Sequence, residues 1–348
     1  MIFYDIHGIL GVESQILLHE LEFFHSDRIR EPDIIIKVSN NGFFPSRTVG
    51  DKVTYGEHFG SLGAEFSIDA ENELKLFVSR LLANSNNVLY VNVVEPLLRF
   101  LFVTKGYVLL HSACFLLNGH GVLLSAHPDT GKTTTVLKIL QSPSCLFLSD
   151  DMTILDPSGK AHCFPKPPTI SYHTLKALGS DYDELYGLPF LILQSRIHSR
   201  GTRSLMRALG KTGAPILTIN ALGQIVVPPP KPPILSLVDP QRVAQECQVN
   251  DLYFMDRGEP LLMECTLGRA LEMVEANNDE AFDFPPYSRL VRNLKIGGFS
   301  HQELKSRERN LLTRALEDVR FYYVRLEDFS WDKYIASTLE IGGSPLLI

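Results

Sequence analysis

Residues 125–135 read SAHPDTGKTTT, and they place a glycine, a lysine and a hydroxyl in succession at Gly131, Lys132 and Thr133. That order suits the phosphates of a nucleotide. Backbone amides at a strand-to-helix turn and the positive end of the helix hold phosphate oxygens, the lysine reaches the β and γ phosphates, and the hydroxyl ligates Mg2+. The usual pattern, G-x-x-x-x-G-K-[ST], has a further glycine at its first position, where this chain has Ala126. A glycine there chiefly permits the turn, so alanine is a modest steric change wherever φ is negative. The expected phosphate-binding residues are His127, Pro128, Asp129, Thr130, Gly131, Lys132, Thr133 and Thr134.

The second chemical pair is Asp150-Asp151, which closes the apolar run CLFLS (145–149). One carboxylate can help hold Mg2+ while the other accepts the proton of a hydroxyl nucleophile. The plain alternative is an Asp pair that merely opens a hairpin turn. A GTPase normally adds an N-K-x-D reader of guanine, and no such tetrapeptide occurs in the chain.

These residues need elements to position them. GVLLS before the loop reads as a strand and residues 133–140 after it as a helix. YVLLHSACFLL, the turn NGHG and GVLLS together suggest a β-hairpin, and MTILDPSGKAHCFP a second one turned at Asp156-Pro157-Ser158-Gly159. PLLRFLFVT (96–104) suits a buried helix broken by Gly106. Upstream, Ile34 to Val38 reads as a strand, and NNGFFPSRTVGDKVTYGEHFGS as loops and turns. Near the end, Ser300-x-x-Glu303 resembles a capping box that opens a helix, and RFYYVRL (320–326) reads as a strand.

Bulk properties bound the function. With 348 residues and 45% apolar content the chain can build one large and one small domain. A net charge of -7 argues against a general nucleic-acid binder, which needs a basic excess to displace counterions. Five cysteines, odd in number and without a C-x-x-C pair, fit reduced thiols and a cytoplasmic setting. The start MIFYDIHGILGVE lacks the basic-then-apolar pattern of a secretory signal. The apolar stretch 97–117 is interrupted by Arg99, Lys105 and His111, so no membrane span is expected there.

Residues 185–238 hold no Asp or Glu, and PPPKPP (228–233) within them reads as a stiff connector. SRIHSRGTRSLMRALGK (195–211) spaces Arg200, Arg203 and Arg207 by three and four, which a helix would present on one face. Such a segment could clamp a γ phosphate or recognise an acidic substrate, and it could equally be a solvated basic face. Arg200 and Arg203 are the preferred contacts.

The order LLHSACFLL, turn, GVLLSAHPDTGKTTT, LFLSDDMTIL, hairpin and FPKPPTIS resembles the catalytic domain of HPr kinase/phosphorylase and its related proteins, whose cores share architecture with phosphoenolpyruvate carboxykinase. The likeness runs from about Tyr107 to Ser171. It implies a mixed α/β (α+β) fold with an HPr-kinase/PEPCK-like P-loop core over 105–348, and the residues themselves suggest a small α+β domain over 1–104 before it and a basic, Pro-rich insertion at 185–238 within it. It implies ATP and Mg2+ as cofactors, Lys132 on the phosphates, Thr133 and Asp151 at the metal, and Asp150 as the catalytic base. His111 would lie near that base and tune its protonation. A later glutamate-containing metal segment of HPr kinase has no match after Ser171, where the nearest acids are Asp181, Asp183 and Glu184.

The reading that follows is an ATP-dependent kinase acting on a hydroxyl of a small molecule or of a serine in a peptide or protein. The alternatives are a nucleotide-dependent switch with slow ATPase activity and, third, a carboxykinase-like enzyme. The resemblance is also compatible with a symmetric homo-oligomer.

Overall fold

The computed structural model describes residues 1–39, 47–49, 52–71, 73–127, 130–170, 174, 194, 209, 213–282, 286–287, 293–328 and 330–340. The chain divides into two compact units, one of Met1–Gly106, Leu193–Pro230 and Phe282–Glu308, the other of Tyr107–Ile192, Lys231–Ala281 and Arg309–Ile348. It therefore returns to the first unit twice after Gly106. Both units mix helices with sheets of parallel and antiparallel strands.

In the first unit eight strands form one sheet: β1 (Ile2–Ile6), β2 (Leu10–Ser14), β3 (His25–Ser26), β4 (Ile34–Val38), β5 (Arg47–Val49), β6 (Lys52–Phe59), β7 (Leu62–Asp69) and β8 (Leu74–Val78), in spatial order β3-β1-β2-β4-β8-β7-β6-β5. The central β4 runs parallel to both β2 and β8, and its Ile34, Ile35 and Ile36 are all buried, as befits a strand covered on both faces. The stretch expected to be loops and turns contains β5 and β6. Its signal is an alternation in which Val53 and Tyr55 turn inward between polar neighbours, short and interrupted by Gly56, so polarity masked the strand.

The helix Glu95–Thr104 matches the expected buried helix and hides Glu95 and Arg99 along with its apolar residues. The helical run Asn86–Thr104 is long and apolar enough to cross a membrane by length and composition, yet 78% of it is buried inside the protein. It is a core helix of its unit.

The second unit is built on β9 (Val108–Leu110), β10 (Ala113–Leu117), β11 (His120–Ala126), β12 (Cys145–Ser149), β13 (Thr153–Leu155), β14 (Lys160–His162), the long β15 (Glu246–Arg257), β16 (Leu261–Glu264) and β17 (Arg320–Leu326). β11, β15 and β17 run parallel side by side, β10 pairs antiparallel with β11 and with β12, and β14, β13 and β9 continue from the first residues of β15. A core of Phe115, Val122, Phe147, Tyr253, Tyr322 and Trp331 packs around them.

YVLLHSACFLL, expected as one strand of a hairpin, is two. It breaks at His111-Ser112, where the Ser112 amide donates to the Leu110 carbonyl at 2.8 Å in a tight three-residue turn. β9 then pairs with β13 while β10 pairs with β11. The second expected hairpin, β13 with β14, forms as read, and β17 covers the run RFYYVRL. The helix His301–Ala315 opens on the expected capping box: Glu303 Oε2 accepts from the Ser300 amide at 2.8 Å, and the Glu303 amide donates to Ser300 Oγ at 3.4 Å.

Candidate functional site

β11 carries the chain into the loop, and the helix Lys132–Ile139 carries it out. Ala126 is the last residue of β11, paired with Met255 of β15, and is 1% exposed. It sits in a strand ladder, and only His7 and Asn118 have positive φ among the described non-glycine residues, so nothing at this position calls for glycine. The left-handed backbone lies instead at Gly131, with φ of 117°. The glycine that the turn needs is the one the chain retains.

The loop is tied down at several points. Thr130 Oγ1 donates to the His127 carbonyl at 2.8 Å, Thr135 Oγ1 to the Gly131 carbonyl at 3.0 Å, and Arg257 Nε, at the end of β15, to the Thr130 carbonyl at 3.4 Å. His127 Nδ1 meets Glu280 Oε2 at 3.0 Å, with its ring edge-on to Phe254. Thr134 is buried in the first turn of the helix. Pro128 and Asp129 lie outside the described residues, as do Arg200, Arg203 and the acids Asp181, Asp183 and Glu184.

The end of β12 delivers both carboxylates to this helix start. Thr133 Oγ1 donates to Asp150 Oδ2 at 2.8 Å, and Asp150 Oδ1 is buried without a hydrogen-bond partner. Asp151 receives Lys132 Nζ at 3.5 Å and His111 Nε2 at 3.2 Å on Oδ1, and Lys166 Nζ at 2.5 Å on Oδ2. The two acids thus divide the site. Thr133 meets Asp150 and His111 meets Asp151, where the resemblance implied Thr133 and Asp151 at the metal and His111 near Asp150.

Their electrostatics diverge accordingly. Asp150 is 5% exposed, and burial, reinforced by the neighbouring Asp151 charge, pushes its carboxyl up to about 6 despite the opposing pull of Lys132, Thr133 and Lys166. At Asp151 burial works in the same direction, but Lys166, Lys132 and His111 override it and hold the carboxyl well below the usual range. Its side chain keeps an open flank, 38% exposed, so these pairs are partly screened. For His111, burial and then the charge of Lys132 lower the pKa against the pull of Asp151, which favours the neutral ring at pH 7. Nε2–H then donates to Asp151, and the buried Nδ1 has no hydrogen-bond partner.

Several site residues were not anticipated. Lys166 is 3% exposed, and its signal was a lysine set between prolines in FPKPP, a run otherwise free of charge. Asn277 and Asn278, on the helix Leu267–Phe282, grip the break in the strand. Asn278 Oδ1 accepts the His111 amide at 2.8 Å, and Asn277 Nδ2 donates to the His111 carbonyl at 3.1 Å and to Ser125 Oγ at 2.9 Å. Adjacent buried asparagines in an amphipathic helix were the available sign. Glu280 of the same helix holds His127, so one helix braces both the strand break and the entry to the loop.

No protein-family model matches the chain, and no curated protein matches it.

Proposed function

We propose that the protein is an ATP- and Mg2+-dependent phosphotransferase that moves the γ-phosphoryl group to a hydroxyl acceptor, on an HPr-kinase/PEPCK-like P-loop core. The observation that carries this reading is the meeting of Thr133, next to Lys132 at a helix start behind a left-handed Gly131, with Asp150, a buried carboxylate of raised pKa just past the end of β12.

Lys132 neutralises the terminal phosphates, and the loop amides with the positive end of the helix hold their oxygens. The Thr133 hydroxyl and Asp150 Oδ2, 2.8 Å apart, would hold Mg2+ together with phosphate oxygens, which leaves the unpartnered Oδ1 for the proton. Among the described residues no three His, Cys, Asp or Glu side chains form a cage, but Mg2+ bound with phosphates needs only one or two carboxylates. When bound, the ion offsets charge developing on the phosphates.

Asp150 Oδ1 takes the proton of the acceptor hydroxyl as the acceptor oxygen bonds to the γ phosphorus and the bridging oxygen leaves with ADP, taking the electron pair. A carboxylate with a pKa near 6 is still mostly ionised at pH 7 and is a stronger base than an ordinary aspartate. Asp151, tied to two lysines and His111, stays an anion throughout and keeps the cations in register.

The test is a transfer screen with γ-labelled ATP and Mg2+ against pooled amino acids, polyols, sugars, nucleosides and serine peptides, with Asp150→Asn as control. Label in one acceptor class with the parent alone supports the reading. Nucleotide binding without any labelled acceptor favours a nucleotide switch.

A further inference from the structure

Lys166 answers to none of the roles above. It lies just after β14, its amide donates to the Phe164 carbonyl at 2.9 Å, and Pro165 and Pro167 flank it, so the backbone that carries it has little freedom. A buried ammonium costs several kcal/mol unless paired. It pairs with Asp151 Oδ2 at 2.5 Å.

The other oxygen of Asp151 is shared. Lys132 reaches it at 3.5 Å and His111 at 3.2 Å. The Lys132 contact is the long one, at the weak edge of an ion pair, and Lys132 is also the residue on which an incoming phosphate would draw. Taking Lys132 away from Asp151 would strand that carboxylate next to the polyanionic ligand if nothing else neutralised it.

We infer that Lys166 is the standing counter-charge of Asp151, a positioning residue that keeps this carboxylate neutralised while Lys132 exchanges it for nucleotide phosphate. The inference rests on the nucleotide reading of the site. Lys166 acts through Asp151 and not by contact with the nucleotide, and its contribution disappears when Asp151 is removed.

The experiment is a titration of the full chain with a fluorescent ATP analogue and Mg2+, comparing the parent, Lys166→Met, Lys166→Arg, Asp151→Asn and the Lys166→Met/Asp151→Asn pair. Lys166→Met should weaken binding about tenfold or more, and Lys166→Arg should restore most of it, because charge is retained. Asp151→Asn should bind at least as tightly as the parent, since the carboxylate competing for Lys132 is gone. Adding Lys166→Met to Asp151→Asn should then change little.

Parent-like affinity in Lys166→Met overturns the inference. So does an equal loss with and without Asp151, which would mean direct contact with phosphate. If Lys166→Met does not fold, Lys166→Gln takes its place in the same cycle. Lys132→Ala separates the two levels: undiminished binding there sinks the nucleotide reading itself. Lost binding there with Lys166→Met unaffected sinks only the role of Lys166.

Discussion

Two buried charge clusters, one in each unit, solve the same physical problem in different ways. In the first unit Arg99 and Glu308, each 1% exposed, form a two-pronged pair at 2.6 and 2.7 Å, and Lys305 adds a third contact to Glu308 at 2.7 Å. The Arg99 guanidinium also lies over the Phe282 ring at 4.7 Å. Burial opposes the charge on Glu308, and Arg99 followed by Lys305 overcomes it. In the second unit two lysines and a histidine share Asp151 while Asp150 and His111 each keep a buried atom with no partner. A complete pair holds a fold together. An incomplete set, in which two cations share one carboxylate oxygen and buried acceptors are left over, fits the proposed site.

The contrast predicts a double dissociation. Asp150→Asn should lower phosphoryl transfer by about 10²- to 10⁴-fold, the usual contribution of a general base, with nucleotide affinity nearly kept. Single-turnover transfer and equilibrium binding measure the two halves, and unchanged transfer would remove Asp150 from the base role. Glu308→Gln should do the reverse. It takes the Glu308 charge away from the buried Arg99, at about 3–5 kcal/mol of stability, while nucleotide affinity of the folded protein stays at the parent level. Denaturant melts read the first effect, and a parent-like midpoint would show that the complete pair contributes little.

A smaller effect follows from the raised pKa of Asp150. Between pH of about 4 and 6 the folded chain keeps a proton that the unfolded chain releases, so the parent loses stability as pH rises through that window. With a shift from 3.8 to about 6, the loss is on the order of 2–3 kcal/mol. Asp150→Asn escapes it. The variant should therefore be more stable than the parent at pH 7 and close to it at pH 4. In the parent, kcat/KM should fall on the acid side with an apparent pKa of about 6, as the base of the free protein becomes protonated. Equal stability of the two proteins at both pH values would show that Asp150 is not strained by burial.

How much of this was legible in the sequence depends on the range of the interactions. The loop, its helix, β12, the β13–β14 hairpin and the capping box all rest on residues close in the chain, and local pattern was enough to read them. The break at His111-Ser112 was not, because it is held by Asn277 and Asn278, which come from far along the chain. Lys166 was missed for a related reason: a lysine in sequence reads as solvated, and only the fold shows that Asp151 lies 2.5 Å away. The division of labour between Asp150 and Asp151 is likewise a matter of which side chain each one faces, which adjacency in sequence does not determine. β6 was hidden by its own polar outward face.

The smallest predicted effect bears on the loop itself. Ala126→Gly recreates the full phosphate-loop pattern, so a reading by motif alone would expect tighter nucleotide binding. The structure argues otherwise. Ala126 is paired with Met255 in the strand ladder, and its methyl group belongs to the core formed with Val122, Leu124 and Val136. Glycine there would gain a freedom the backbone does not use and lose packed surface, costing about 0.5–1 kcal/mol of stability with nucleotide affinity unchanged. A measurable gain in affinity would mean that the first position of the loop must leave its extended conformation to admit phosphate, and that Gly131 alone does not supply the turn.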